Sequence, residues 1–74
     1  MLRKHSVSIR GHRTSFSLED EFWDEFRKIA EKEKVPLAKL ITQLDEDREP
    51  DQNLSSTLRV FVLMHIKQAN SSRD

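Results

Sequence analysis

The sequence changes its hydrophobic period within ten residues, in the segment RTSFSLEDEF at positions 13–22. Thr14, Phe16 and Leu18 alternate with polar residues, and this period of two is typical of a strand that is buried on one side. From residue 19 onward the apolar residues recur at helical spacing. The segment therefore predicts a short strand over 13–18 that leads directly into a helix.

Two helices separated by a proline follow this strand. The apolar spacing predicts the first helix over 19–33, with Ser17 as its N-cap and acidic residues in its first turn. Pro36 separates the helices, because the residue before a proline is pushed out of the α region and proline suits the first turn of a new helix. The second helix is predicted from Leu37 to near Asp45.

A charged loop over 45–53, which contains a proline, leads to a third apolar segment. The spacing predicts a helix over about 54–69, which Asn53 or Ser55 can cap. Apolar residues cover more than one face of this helix, so we expect it to pack against more than its own two neighbours. Residues 70–74 are predicted as a frayed tail.

The segment before the strand is basic. Residues 1–18 carry four basic residues and no acidic one, although the whole chain has thirteen of each and a net charge of zero. Because binding depends on the local field, the basic N-terminal arm, residues 1–12, is a candidate for nucleic-acid contact. Residues 5–10 form a possible extra strand within it, with Gly11 in a turn or a bulge.

Length and residue types bound the remaining possibilities. A chain of 74 residues has room for one domain, and it has no cysteine for disulfides or thiolate metal sites. Packing, and a second copy of the chain, are therefore expected to stabilise it. Without a membrane-spanning run or the apolar core of a signal peptide, the sequence predicts a cytoplasmic protein. It shows no catalytic constellation and no cofactor motif, so we expect no enzymatic activity and no cofactor.

The histidines and the tryptophan have ordinary structural interpretations. His5 and His12 lie seven residues apart in a chain without cysteine, which is a poor metal signature, and they are predicted as surface residues. His65 lies on an apolar helix face and is predicted at an interface or in the core. Trp23 is predicted in the core rather than as a stacking platform for single-stranded nucleic acid.

The order of strand, helix, short break and helix resembles the ribbon-helix-helix DNA-binding proteins. The resemblance rests on the strand alternation, the stripes of the first two helices and the break between them: Thr14, Phe16, Leu18, Phe22, Phe26, Ile29, Val35-Pro36, Leu37, Leu40, Ile41 and Leu44. The stretches HSVSIRGHRTSFSLEDEFW and LSSTLRVFVL are similar to a group of small bacterial proteins with this domain. The resemblance implies a mostly α fold with a short β-ribbon, an intertwined homodimer of a domain over 13–69, plus an additional C-terminal helix.

In that family the strands of two chains pair into an antiparallel ribbon that lies in the major groove. The strand over 13–18 is predicted to lack a partner in its own chain, so the resemblance implies pairing with the same strand of a second copy. Three outward residues of this strand are implied as base contacts: Arg13, Ser15 and Ser17. Arg13 is the strongest of them, because arginine can bond guanine O6 and N7 together.

The resemblance also implies a set of phosphate contacts and a dimer core. The phosphate set combines basic side chains with amides at the start of the second helix, where the helix dipole favours anions. Its members are Arg3, Lys4, Arg10, His12, Leu37, Ala38 and Lys39. The dimer core is implied as Phe16, Leu18, Phe22, Phe26, Leu40, Ile41, Leu58, Phe61 and Val62.

Two functions are consistent with these residues. The first is sequence-dependent binding of double-stranded DNA by a homodimeric bacterial regulator of transcription. The alternative is a protein–protein interaction module of the same fold, antitoxin-like or a structural dimer, in which Val60, Leu63 and Met64 of the third helix form a docking stripe. A steep loss of DNA affinity with salt would favour the first.

Overall fold

A β-hairpin and three helices make up the part of the chain that the computed structural model describes, residues 1–71. The elements are β1 (Leu2–Ile9), β2 (His12–Glu19), α1 (Asp20–Glu33), α2 (Leu37–Asp47) and α3 (Leu54–Ser71). All three predicted helices are confirmed, with ends that differ from the predicted ones by at most two residues. Asn70 and Ser71, predicted in a frayed tail, belong to α3, and the rest of that predicted tail lies outside the described residues.

The two strands pair with each other in one chain. Their antiparallel register runs without interruption from Leu2 opposite Glu19 to Ile9 opposite His12. The prediction that the strand over 13–18 has no partner in its own chain is therefore wrong. The arm before it, in which residues 5–10 were the candidate strand, supplies that partner as β1.

A two-residue turn closes the hairpin. Arg10 and Gly11 both have positive φ, 54° and 81°, and this conformation gives the turn a twist that matches that of the flanking strands. Glycine adopts it freely, whereas a residue with a Cβ such as Arg10 loses about 1–2 kcal/mol there. An exposed ion pair between Arg10 and Glu46 links the turn to α2.

The inner face of the hairpin and the three helices enclose one apolar core. Its buried members are Ile9, Phe16, Leu18, Phe26, Ala30, Leu40, Ile41, Leu54, Leu58 and Val62. Of the nine residues predicted for the dimer core, seven are buried within the single chain, and Phe22 and Phe61 are half-buried against the same core. Burial of these side chains therefore does not require a second copy.

An aromatic cluster connects the hairpin to α1. The His5 ring stacks on Trp23, with ring centroids 4.0 Å apart and an interplanar angle of 22°, and its centroid lies 5.4 Å from that of Phe16. The prediction that Trp23 packs with the core is confirmed, but the prediction that His5 is an ordinary surface residue is wrong. His5 lies on the inner face of β1, where its partner in the register is the buried Phe16.

The start of α1 differs from the prediction. Ser17 is not its N-cap, because β2 continues to Glu19 and α1 begins at Asp20. The Ser17 backbone N–H instead donates to Ser55 Oγ at 2.9 Å. Asn53 is confirmed as a cap of α3, since its Oδ1 accepts the Ser56 N–H at 2.8 Å.

Candidate nucleic-acid interface

The register of the hairpin sorts its side chains onto two faces, because residues directly opposite each other in antiparallel strands lie on the same face. On the inner face, Val7 pairs with Thr14 and His5 with Phe16. The outer face carries four cross-strand pairs: Leu2 with Glu19 at the base of the hairpin, and then three polar pairs, Lys4 with Ser17, Ser6 with Ser15, and Ser8 with Arg13. We call the six residues of the three polar pairs the polar ribbon face; five are exposed, and Ser17 is half-buried.

Two positive charges on the polar ribbon face are not neutralised within the chain. Over residues 1–71, no carboxylate forms an ion pair with Lys4 or Arg13. The two residues lie on different strands, and Arg13 pairs with Ser8, four positions along β1 from Lys4. At about 3.3 Å per residue the two cations are separated by roughly 13 Å along the ribbon. An extended anion can therefore contact both.

The other two arginines of the basic segment are bound to acids of the helices. Arg3 Nε donates to Asp20 Oδ1 at 2.7 Å, at the start of α1, and Arg10 pairs with Glu46 near the end of α2. Both were predicted to contact phosphate. Each ion pair is exposed to water, so each holds its side chain only weakly in place. His12, a further predicted phosphate contact, is exposed beside the turn.

The predicted amide site at the start of α2 lies apart from the turn. Leu40 donates the first helical bond, to the Pro36 carbonyl at 3.0 Å, so the N–H groups of Leu37, Ala38 and Lys39 precede the helical ladder. Glu46, which holds the turn through Arg10, is near the opposite end of this 11-residue helix. At 1.5 Å per residue, about 15 Å separates the two ends. The amides therefore do not converge with the turn.

Sequence reasoning missed Ser6 and Ser8, which double the number of serines on the polar ribbon face. The signal was present, since both alternate with the apolar Val7 and Ile9. A strand of unknown pairing has no assigned face, however, because a shift of one residue in register exchanges its two sides. The hairpin pairing resolves this, since it sets Ser6 opposite Ser15.

The third helix holds the outer edge of β2 near the base of the ribbon. Arg59 Nε donates to Glu19 Oε1 at 2.9 Å, and Arg59 Nη2 lies 3.4 Å from the Ser17 carbonyl oxygen. Ser55 accepts the Ser17 N–H, so both backbone groups of Ser17 are bound to α3. Hydrogen bonding from the Arg59 guanidinium holds the pKa of the Glu19 carboxyl below its usual value of 4.5.

This lowered pKa predicts a pH-dependent contribution to folding. The contribution of Glu19 is fully present above its unfolded pKa and is lost as the pH falls through the lowered folded value. We expect Glu19→Gln to destabilise the protein at neutral pH, and the difference from wild type to shrink in acid. Urea unfolding followed by circular dichroism across that range measures it. Glu31→Gln, an equal charge change at an exposed site without an ion pair within residues 1–71, is the control. A difference that persists unchanged in acid would contradict the expectation.

Metal binding and membrane crossing were two further possibilities for the described part of the chain. Within residues 1–71, no group of three His, Asp or Glu side chains is arranged to hold a metal ion. None of the helices there combines the length and the apolar character that crossing a lipid bilayer requires.

The comparison with known proteins agrees with this architecture. No curated protein and no solved structure gives a match to the chain. A family model described as a ribbon-helix-helix domain matches residues 2–66, which include both strands, α1, α2 and most of α3. Proteins with this domain are generally DNA-binding regulators of transcription, and they generally dimerise. From the extent of the match, the chain belongs to the ribbon-helix-helix domain family.

Proposed function

We propose that this protein binds double-stranded DNA by inserting its polar ribbon face into the major groove, as a homodimeric regulator of transcription. One observation carries the proposal: a two-stranded ribbon packs one face on the helices and presents polar side chains with two unneutralised cations on the other. The major groove admits a two-stranded β-ribbon, and the phosphates on its rims attract positive charge. The proposal assigns the protein no catalytic role and places it in the bacterial cytoplasm.

The residues of the ribbon take different roles in this proposal. Arg13 reads a base, because its guanidinium can donate two bonds to one guanine. Ser15 and Ser17 add hydroxyls that can donate or accept, and hydroxyl contacts discriminate weakly between bases. Lys4 binds a phosphate as a mobile point charge. Ser17 is available for this role because it does not cap α1.

Salt dependence of DNA binding tests the proposal. Fluorescence anisotropy with a labelled duplex should show affinity falling steeply with salt, since each phosphate contact contributes a slope of about 0.9 in log K against log salt. Lys4→Ala should reduce the magnitude of that slope by about 0.9, the value for one phosphate contact. Lys28→Ala removes the same charge from an exposed site on α1, where Lys28 pairs with Glu25, and should leave the slope unchanged. Equal slopes for Lys4→Ala and wild type, or binding that does not respond to salt, would reject the proposed contact.

A second candidate function rests on α3. Val60, Leu63 and Met64 are about half exposed although they are apolar, which favours a role in protein contact. As a protein–protein module, antitoxin-like or a structural dimer, the chain would show no salt-dependent affinity for duplex DNA. The titration therefore separates the two functions.

A further inference from the structure

The two strands of the hairpin carry the same pattern of residues, nine positions apart. Residues 3–9 read RKHSVSI, and residues 12–18 read HRTSFSL. In each segment a basic residue is followed by serines two and four positions later, with an apolar residue after each serine. The sequence therefore contains a short internal repeat, with one copy in β1 and one in β2.

The register of the hairpin converts this repeat into an approximate two-fold symmetry. Two antiparallel strands are related by a two-fold axis perpendicular to the ribbon. The axis that passes between Ser6 and its partner Ser15 relates each residue of β1 to the residue nine positions later, in β2. This separation equals that of the repeat, so the axis relates Lys4 to Arg13 and a serine to each serine.

We propose that the ribbon of one chain reads a short inverted repeat in duplex DNA, centred on this axis. The inverted repeat rests on the proposed function, because it requires the polar ribbon face to enter the major groove. Arg13 and Ser8, near the turn, face one half of the element. Lys4 and Ser17, near the base of the hairpin, face the other half. A two-fold axis in a protein matches DNA whose two halves are inverted copies, and here the axis lies within a single chain.

The two charged positions set the size of the element. Lys4 and Arg13 are exposed, and neither forms an ion pair with a carboxylate within residues 1–71. They are separated along the ribbon by four residues, roughly 13 Å. Successive phosphates of one DNA strand are about 3.4 Å apart along the helix axis, so the two side chains reach bases about four steps apart. Because the axis exchanges the two DNA strands, these bases lie on opposite strands.

Two differences make the half that faces the base of the hairpin the weaker one. Lys4 stands where the other half has Arg13, and lysine lacks the planar pair of donors that fits one guanine. Ser17 is half-buried and held by α3 through its backbone, whereas its counterpart Ser8 is exposed. The wild type should therefore select DNA in which one half is strongly specified and the other weakly.

Lys4→Arg tests the inverted repeat, because it makes the charged positions of the two halves identical. The starting duplex is selected by the wild type, and the guanine whose replacement leaves binding of Arg13→Ala unchanged is the one that Arg13 reads. A second guanine is then placed on the opposite strand, at separations of about three to six base pairs. At one separation Lys4→Arg should bind about fivefold more tightly than the wild type, or better. Its salt slope should be unchanged, because the charge is kept.

Two controls accompany this measurement by fluorescence anisotropy. Lys28→Arg makes the same substitution on α1, away from the ribbon, and should leave the affinity for every duplex unchanged. In the second control the added guanine is on the strand that already carries the first, and Lys4→Arg should gain no affinity from it. Because Lys4 is exposed, circular dichroism should show Lys4→Arg folded.

The possible failures are distinguishable. If Lys4→Arg gains affinity for none of the duplexes, or gains equally from a guanine on either strand, the inverted repeat is wrong. DNA binding that falls steeply with salt would still support the proposed function in that case. Binding that does not respond to salt would reject the proposed function and the inverted repeat together.

Discussion

Replacing Phe26 with alanine is expected to lower the free energy of unfolding by about 3–5 kcal/mol, through lost burial and the cavity that remains. Phe26 is fully buried in the middle of α1. Its ring meets Phe61 edge-on with centroids 5.8 Å apart, and the Trp23 ring lies 6.2 Å away. Because the core of so small a domain rarely supplies more than about 3–5 kcal/mol, most of the variant should be unfolded. Thermal unfolding by circular dichroism should show no cooperative transition above room temperature.

Phe22→Ala is the matched control for this change. Phe22 lies one turn earlier on α1 and is half-buried at the margin of the core. The loss of the same side chain there should cost less, because water already reaches the ring and little cavity forms. Equal losses of unfolding free energy in the two variants would mean that the core is not centred on Phe26.

The helices could be predicted from the sequence because their signals are local. The apolar spacing of Phe22 and Phe26 and the break at Pro36 lie within a few residues of the structure that they specify. The Asn53 side-chain oxygen caps α3 by accepting the backbone N–H of Ser56, only three residues away. Such patterns require no knowledge of tertiary contacts, and the helix ends accordingly agree within two residues.

The hairpin was harder to predict because strand pairing is not local in the same sense. The alternation around Val7 and Ile9 was visible, but whether that segment pairs with its own chain depends on the turn. Hairpin turns of two residues favour Asn-Gly or Asp-Gly, and this turn has Arg10 in the first position. The ion pair to Glu46, 36 residues further along the chain, is a feature of the turn that no local pattern reveals.

The role of Ser17 shows how a distant contact can replace a plausible local one. A serine three residues before an acid, at the start of a helix, is a reasonable N-cap. Pairing with β1 extends to Leu2 opposite Glu19, and Ser17 also contacts Ser55 and Arg59, roughly forty residues away in sequence, so this segment belongs to β2 and the helix starts at Asp20. The Ser17 side chain is therefore not engaged as a cap and lies on the polar ribbon face, among the residues implied as base contacts.

Pairing within one chain also changes what dimerisation is needed for. In the arrangement implied by the resemblance, two copies share one ribbon, so a monomer would have neither a complete ribbon nor a complete core. Here a single chain forms both the two-stranded ribbon and the buried core. A second copy would therefore add a second ribbon, and two linked ribbons can bind two half-sites with greater avidity than either alone.

The largest functional effect is expected from Arg13. If Arg13 bonds one guanine through both O6 and N7, Arg13→Ala should cost about 1–3 kcal/mol on a preferred duplex, roughly a 5- to 150-fold loss of affinity. On random duplexes the loss should be no larger than that caused by removing one positive charge. The preferred duplex can be selected from a random library by the wild-type protein. Fluorescence anisotropy then measures the affinities of the wild type and of Arg13→Ala for the preferred duplex and for a random duplex.

Two further variants separate the reading of a base from simple attraction to phosphate. Arg27→Ala removes an exposed arginine from α1, where it pairs with Asp24, and should leave the affinity for either duplex unchanged. Arg13→Lys keeps the positive charge but loses the planar two-bond geometry, so it should lose most of the preference between duplexes while keeping the salt slope. If Arg13→Lys retained the full preference, Arg13 would act only as a charge. Specificity would then have to come from the serines of the ribbon, whose contacts discriminate weakly, or from the shape of the DNA.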